Sequence, residues 1–187
     1  MRILGAAIAA VFVTSAPGFA DGLISEVRLG VAAHDLTDHS EDGPQITGEL
    51  LLQPIEQLGF IGAPKPVFNI SISTQGFTNL AGAGLLWDGR VGENWRIEGG
   101  FGLAVHDGIN DLDTTLPPLE QVRIKETRAL LGSDVLFRTT FGLNYDVTER
   151  WGVGLFYEHY SHGQILGDGR NQGLDELGVR LNWRFGD

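Results

Sequence analysis

Hydrophobic and polar residues alternate with a period of two along most of the chain. In the last such segment, the apolar residues Leu177, Val179 and Leu181 alternate with the residues at positions 176, 178, 180 and 182, which are polar or glycine. Successive side chains of a strand point to opposite faces, so each segment of this kind predicts a β-strand with one apolar face. Eight segments show the pattern, with apolar positions within 27–33, 46–52, 68–72, 81–87, 95–103, 137–143, 151–157 and 177–185.

The length and number of these strands predict a membrane barrel. Most segments are about ten residues long, which is the length that a tilted strand needs to cross a bilayer. An even number of antiparallel strands can close into a barrel that has no unpaired edge. We therefore predict an all-β fold, an eight-stranded antiparallel transmembrane β-barrel. Its connections fall at two ends, with 35–44, 75–78, 106–132 and 162–173 at one end and 54–66, 88–94 and 146–150 at the other.

The polar positions indicate which face lies inside. They combine glycines with charges of both signs, namely Glu26, Arg28, Glu49, Arg96, Glu98, Arg138, Glu158, Glu176, Arg180 and Arg184. In a narrow membrane barrel such residues fill the lumen, and the apolar face meets lipid. Aromatic residues near strand ends on the apolar face fit an interfacial girdle: Trp95, Trp151, Tyr157, Trp183 and Phe185. The alternative is a soluble barrel of the lipocalin type, with its apolar residues inside.

Composition narrows the function classes. The 187 residues include 27 glycines, about twice the usual share, and no cysteine, which excludes disulfides and thiolate metal sites. The net charge of −11 argues against a nucleic-acid partner, because phosphates require clustered Lys and Arg. The mean hydropathy lies close to zero, as expected when apolar and charged residues alternate.

The N-terminus carries the features of an export signal. Arg2 precedes an apolar run over residues 3–13, and Gly18 and Ala20 occupy the small-residue positions before a cleavage site. The apolar run is too short to span a bilayer. We therefore predict a signal peptide over residues 1–20 and a single mature barrel domain over residues 21–187. The export signal leaves the periplasm, the outer membrane or the exterior as its destination, and the strand pattern favours the outer membrane.

Three polar residues fall in phase with the apolar face near one end of the last hairpin. His159 and Ser161 lie two apart, and Asp175 is in phase with Leu177. Each polar group facing hydrocarbon costs roughly 2–7 kcal/mol unless it is hydrogen-bonded, so their presence requires an explanation. A serine activated by a histidine that a carboxylate orients is the arrangement used in nucleophilic catalysis. Asn171 and a backbone N–H near Gly163 are candidate donors to an oxyanion.

Other readings of these residues stay open. The His-x-Ser pair could be a coincidence close to a loop. A metal site is not expected, because His159 and His162 lie three apart in a strand and would face opposite sides, and no cofactor is expected either. His34, His39 and His106 are expected to be solvated residues of the long loops.

The C-terminal hairpin is similar to a known enzyme family. The strand end His159-Tyr160-Ser161, the run Asn171-x-Gly173-Leu174-Asp175 and the final strand over residues 178–185 resemble the lipid A 3-O-deacylases, also called acyloxyacyl hydrolases, which are eight-stranded outer-membrane barrels. The resemblance implies that His159 is the general base, Ser161 the nucleophile and Asn171 an oxyanion donor. The acid of that family is usually glutamate. Asp175 occupies its position here, and the neighbouring Glu176 is in phase with the lumen.

The resemblance implies a serine esterase in the bacterial outer membrane. Such an enzyme hydrolyses an acyl ester of lipid A in lipopolysaccharide, at the 3-O position, and releases a fatty acid. Its partners are lipid A and the outer-membrane lipids, and the sequence leaves open whether the barrel forms a homodimer. The alternative is a small non-catalytic barrel with a structural role or a binding role, using the loop over residues 106–132.

Overall fold

The computed structural model describes residues 22–185 and shows eight antiparallel strands closed into one barrel, as predicted. Each strand pairs with the next, and the first pairs with the last. The strands are β1 Ile24–His34, β2 Gly43–Leu52, β3 Lys65–Ser73, β4 Leu80–Val91, β5 Trp95–His106, β6 Val135–Asp146, β7 Trp151–Ser161 and β8 Leu174–Arg184. The predicted signal peptide lies outside the described residues and stays a prediction.

The connections differ from the predicted ones in three places. The strand β4 continues to Val91, so residues 88–91 belong to a strand and not to a turn. The β5–β6 loop contains a helix, α1 (Pro118–Thr127), and the β2–β3 connection contains a 3₁₀-helix (Glu56–Ile61). Neither helix buries a residue, so neither carries the apolar periodicity by which a helix is recognised in a sequence. No helix within residues 22–185 is long and apolar enough to cross a membrane.

The apolar face points outward and the charged face fills the lumen. Leu29, Ile97 and Val179 are each more than half exposed on the outer wall. Nine of the ten predicted lumen residues are almost entirely buried, namely Glu26, Arg28, Glu49, Arg96, Glu98, Arg138, Glu158, Glu176 and Arg180. The tenth, Arg184, lies at the short-turn end and is half-buried. A soluble barrel of the lipocalin type has the reverse arrangement, so that alternative is wrong. At the short-turn end, Trp151 packs edge-to-face on Trp183 with ring centroids 4.2 Å apart, consistent with an interfacial girdle.

The lumen is held together by a network of ion pairs between distant strands. Arg28 donates to Glu49 at 3.1 Å and to both carboxylate oxygens of Glu98 at 2.9 and 2.8 Å. Arg180 also binds Glu49 and Glu98, and Arg138 donates to Glu49 at 2.6 Å. Each carboxylate is thus shared by at least two guanidinium groups. The Arg28–Glu49 pair joins the neighbouring strands β1 and β2, and the other pairs join strands that are not neighbours in the sheet.

Glycine leaves room for this network. A Cβ atom at Gly142 would lie 2.6 Å from Glu98 Oε1 and 2.9 Å from a guanidinium nitrogen of Arg180. A Cβ atom at Gly154 would lie 2.3 Å from the side-chain oxygen of Asn144. The abundance of glycine therefore follows in part from the need to fit long charged side chains into a narrow lumen.

We expect Glu98→Gln to destabilise the barrel by roughly 3–5 kcal/mol, because it leaves the buried Arg28 and Arg180 without the full charge that compensates them. Urea unfolding in lipid vesicles, followed by tryptophan fluorescence, measures the change. Glu120→Gln, which removes an exposed carboxylate of α1, serves as the control and should leave the unfolding free energy unchanged. Equal effects of the two substitutions would show that the lumen network does not stabilise the barrel.

The long-loop end of the barrel is closed by its own loops. Ala129 and Leu131 of the β5–β6 loop are fully buried and pack with lumen-facing residues at this end of the strands. The cluster also contains Leu80, Ala104, Leu136, Tyr160 and Leu174. The last turn of the β5–β6 loop thus lies inside the barrel mouth, beside the strand ends that carry the candidate catalytic residues.

Candidate active site on the lipid-facing wall

His159 and Asp175 lie opposite each other on neighbouring strands. They are register partners in the β7–β8 pair, and both project from the outer wall near the long-loop end. The Nδ1 atom of His159 lies 2.8 Å from Oδ1 of Asp175. The side chain of His159 is 42% exposed and that of Asp175 is 11% exposed, so the carboxylate is shielded and the imidazole remains accessible.

The contact with Asp175 fixes the tautomer of His159. An ionised carboxylate can only accept hydrogen bonds. The ring proton is therefore on Nδ1, which donates a hydrogen bond to Asp175. In the neutral imidazole the other ring nitrogen, Nε2, is then an acceptor with a free lone pair. The pair therefore presents an imidazole nitrogen with a free lone pair on the outer wall, held in orientation by a carboxylate.

Ser161 ends β7, two residues after His159 and on the same face of the strand. Within residues 22–185, no hydrogen bond joins its hydroxyl to His159. Both side chains nevertheless lie close to Gly173. A Cβ atom built on Gly173 would be 3.3 Å from Cε1 of His159 and 3.7 Å from Cβ of Ser161. Gly173 has a φ of 66°, so this close approach of the chain uses a conformation that glycine adopts without strain.

Asn171 is oriented by the backbone at the end of β7. The N–H of His162 donates to Oδ1 of Asn171 over 3.1 Å, which leaves the two N–H groups of the amide directed elsewhere. Gly163 follows with a φ of 62°, and its Cβ position would lie 3.2 Å from the ring of Phe137. The side chain of Asn171 thus contacts the backbone of the residue that follows Ser161.

The β5–β6 loop holds the segment that carries Asn171. The N–H of Leu130 donates to Oε1 of Gln172 over 2.8 Å, and the N–H of Gln172 donates back to the carbonyl of Leu130 over 3.3 Å. Gln172 also donates to Asp38 in the β1–β2 loop over 3.3 Å. Gln172, the residue next to Asn171, is therefore held by two other loops. The sequence does not predict these contacts, because the residues that make them are far apart along the chain.

Glu176 and His34 lie on the other side of the wall. Glu176 is buried in the lumen, where its Oε1 accepts from Ser71 over 2.7 Å and lies 3.0 Å from Nδ1 of His34. It therefore points away from His159. The expectation that His34 is a solvated loop residue is wrong: it ends β1, faces the lumen and is fully buried between Glu176 and Glu41.

The other loop histidines also differ in environment. His39 is exposed, whereas His106 ends β5 and bonds the carbonyl of Ser133 over 2.7 Å. In the described part of the chain, no group of three or more histidine, aspartate or glutamate side chains is placed to hold a metal ion.

Comparison with known proteins assigns the family. The model of the lipid A 3-O-deacylase (PagL) family matches residues 57–184. The chain belongs to this family. No curated protein matches the chain. The match covers β3 to β8, and with them His159, Ser161, Asn171 and Asp175.

Solved structures share the fold of this deacylase-family barrel. The crystal structure of the outer membrane enzyme PagL is 13% identical, with a TM-score of 0.58 over 86% of this chain and 100% of that chain. Neisserial surface protein A is 12% identical, with a TM-score of 0.55 over 86% and 96%. A structure from the de novo design of transmembrane β-barrels is 10% identical, with a TM-score of 0.51 over 88% and 96%. At these identities the structures show a common barrel and nothing finer.

The family and the structure together locate the protein. A closed barrel with an apolar outer wall and a charged lumen is the architecture of outer-membrane proteins. The protein is an outer-membrane β-barrel of the lipid A 3-O-deacylase family. Bacterial barrels of this kind have short periplasmic turns and longer external loops, so the end that carries His159 and Ser161 is the external one.

Proposed function

We propose that this barrel is an esterase that removes an ester-linked acyl chain, at the 3-O position, from lipid A in the outer leaflet. The observation that carries the proposal is the His159–Asp175 pair, hydrogen-bonded over 2.8 Å on a wall that is otherwise apolar. Ionisable groups facing lipid are costly and are retained mainly where they have a function. The family match supplies the substrate class.

Ser161 is the proposed nucleophile. Its Oγ attacks the acyl carbonyl carbon while Nε2 of His159 takes the hydroxyl proton, and Asp175 stabilises the imidazolium that forms. The tetrahedral intermediate collapses, the ester C–O bond breaks, and His159 returns the proton to the leaving sugar oxygen. Water then hydrolyses the acyl-enzyme by the same route and releases the fatty acid. Catalytic hydrogen bonds are commonly long before substrate binds, which accords with the absence of a Ser161–His159 bond in the described chain.

The wall below the site fits an acyl chain. Two apolar grooves of about 690 and 570 Å³ meet at Val31, Leu155 and Val179, which lie in one row across β1, β7 and β8. Val179 is four residues along β8 from Asp175, or about 13 Å at the usual rise of a strand. A lipid whose ester lies at His159 would therefore place its chain along these grooves.

The test is fatty-acid release from purified lipid A. The folded barrel in detergent is incubated with lipid A, in parallel with a heat-unfolded sample, and the products are identified by mass spectrometry. We expect lipid A to lose one ester-linked chain and keep its amide-linked chains, and we expect ¹⁸O from labelled water in the carboxylate of the released acid. Unchanged lipid A would contradict the proposal and favour a barrel with a structural or binding role.

We expect Asn171→Ala to reduce kcat by about 10²- to 10³-fold, because the amide of Asn171 is the proposed side-chain donor to the oxyanion. KM should change little, since the charge develops only in the transition state. Steady-state kinetics on a soluble ester substrate measure both. Asn110→Ala, at another loop asparagine, is the matched control. A kcat close to that of the control would remove Asn171 from the mechanism.

A further inference from the structure

The carboxylate of Asp175 accepts two further hydrogen bonds besides the one from His159. The hydroxyl of Tyr157 donates to Oδ1, the oxygen that also faces His159, and the hydroxyl of Thr37 donates to Oδ2. Both carboxylate oxygens therefore have hydrogen-bond partners within the protein. A buried carboxylate with partners on both oxygens has a fixed orientation, whereas one held through a single oxygen can turn about its terminal bond.

The two donors come from different parts of the barrel. Tyr157 lies two residues before His159 on β7, opposite Leu177 of β8, so the strand register places it beside Asp175. Thr37 belongs to the β1–β2 loop and is 138 residues away from Asp175 along the chain. Its loop also touches the strand directly, through a hydrogen bond of 3.4 Å from the N–H of Leu36 to the carbonyl of Asp175.

The turn that contains Thr37 is internally fixed. Asp35 has a φ of 52°, and its Oδ2 accepts from the N–H of Ser40 over 2.7 Å and from that of Glu41 over 2.8 Å. The N–H of His39 closes the turn by donating to the carbonyl of Asp35 over 3.0 Å. Aspartate commonly closes a turn in this way, by bonding the backbone that follows it. Thr37 therefore lies in a preorganised turn.

Glu41 anchors the same loop to the barrel mouth. It accepts from the backbone N–H of Thr78 over 2.8 Å and from that of Ala129 over 3.2 Å, and it lies 3.6 Å from His34. Burial raises the pKa of Glu41, but the contact with His34 and the hydrogen bond from Thr78 outweigh it, and the pKa lies below its usual value. The carboxylate therefore stays charged at neutral pH and keeps three loops in contact.

We propose that Thr37 and Tyr157 are positioning residues that hold the Asp175 carboxylate toward His159. The inference rests on the proposed function, since it gives these hydroxyls a role in the same esterase site. Thr37 fixes Oδ2 and so sets the rotation of the carboxylate, while Tyr157 supports Oδ1. Neither residue touches the reacting atoms, and both act through Asp175 on the orientation of the imidazole.

The test removes each hydroxyl without changing the shape of the side chain. Thr37→Val and Tyr157→Phe should each lower kcat by about 10- to 100-fold with KM unchanged, because a hydrogen bond to a charged group is lost. Thr37→Ser keeps the donor and should restore most of the activity. Thr74→Val removes another loop hydroxyl, one that bonds the carbonyl of Pro44, and should act as wild type.

A second measurement does not depend on activity. In barrel labelled with ¹⁵N-histidine, the proton on Nδ1 of His159 should give a low-field NMR signal that is absent in His159→Gln. We expect the signal to move upfield or broaden in Thr37→Val and Tyr157→Phe and to persist in Thr37→Ser. Heat-modifiable migration on gels verifies that each variant is folded.

The outcomes separate the two proposals. An inactive wild-type protein whose His159 signal responds to Thr37→Val contradicts the esterase function and supports the positioning role. An active wild-type protein in which the valine and phenylalanine variants keep both kcat and the signal overturns the positioning role alone. A loss in Thr37→Val that Thr37→Ser does not restore also overturns it, because the loss then comes from the loop and not from the hydroxyl.

Discussion

Replacing Ser161 with alanine is expected to reduce fatty-acid release from lipid A by about 10⁴-fold or more. Removal of the nucleophile from a serine hydrolase leaves only the catalysis that oxyanion donors and substrate binding provide. The substitution deletes one oxygen atom at the end of β7, and no hydrogen bond of that hydroxyl appears within residues 22–185, so the fold should not change. Mass spectrometry of lipid A after incubation with equal amounts of each protein gives the ratio of rates.

Ser25→Ala is the matched control for this change. Ser25 donates to the carbonyls of Leu51 and Leu52 at the opposite end of the barrel, so its removal costs hydrogen bonds but is remote from the site. Its activity should remain within about twofold of wild type. If Ser161→Ala kept more than a tenth of the activity, the acyl-enzyme route would be wrong, and a water activated by His159 would become the better mechanism.

Asp175→Asn is expected to lower kcat by about 10³- to 10⁴-fold. An asparagine amide can donate as well as accept, so it no longer requires the proton on Nδ1 of His159 and no longer stabilises the imidazolium. The side chains have nearly the same shape, so the loss arises from charge and tautomer. Kinetics on a soluble ester, with KM and kcat determined separately, measure the effect.

The neighbouring carboxylate provides the contrast. Glu176→Gln should leave kcat within a few-fold of wild type, because Glu176 faces the lumen and contacts His34 and Ser71 instead of His159. Its cost should appear as lower stability toward urea, since a buried charge contact is weakened. If Glu176→Gln abolished activity and Asp175→Asn did not, the assignment of the acid would be reversed.

The sequence predicts the barrel because strand periodicity is local. The alternation within a segment such as residues 177–185 predicts both a strand and the face of that strand that points into the lumen. The even number of segments predicts that the strands close into a barrel, as the structure shows. The same phase rule places His159 and Asp175 on the outer face, and the register makes them neighbours. The catalytic roles of His159, Ser161 and Asp175 remain predictions, as do the oxyanion roles of Asn171 and Gly163.

The loops could not be predicted from local pattern. Thr37 reaches Asp175 from the other end of the chain, and Gln172 is held by Leu130 of the β5–β6 loop. The prediction for His34 is wrong because the aspartates that follow it, Asp35 and Asp38, indicate a polar loop, whereas strand β1 continues to this residue and turns it into the lumen. These contacts depend on how loops distant in sequence meet above a closed barrel.

The ion-pair network has a consequence for permeability. A cavity in the lumen beside Arg28 and Glu158 measures about 10 Å³, which is room for a single water molecule. A solute crossing this barrel would have to separate several guanidinium–carboxylate pairs at once. We therefore expect planar-bilayer recordings to show no ion conductance. A membrane that contains many copies of this barrel would then remain a barrier to ions and small solutes.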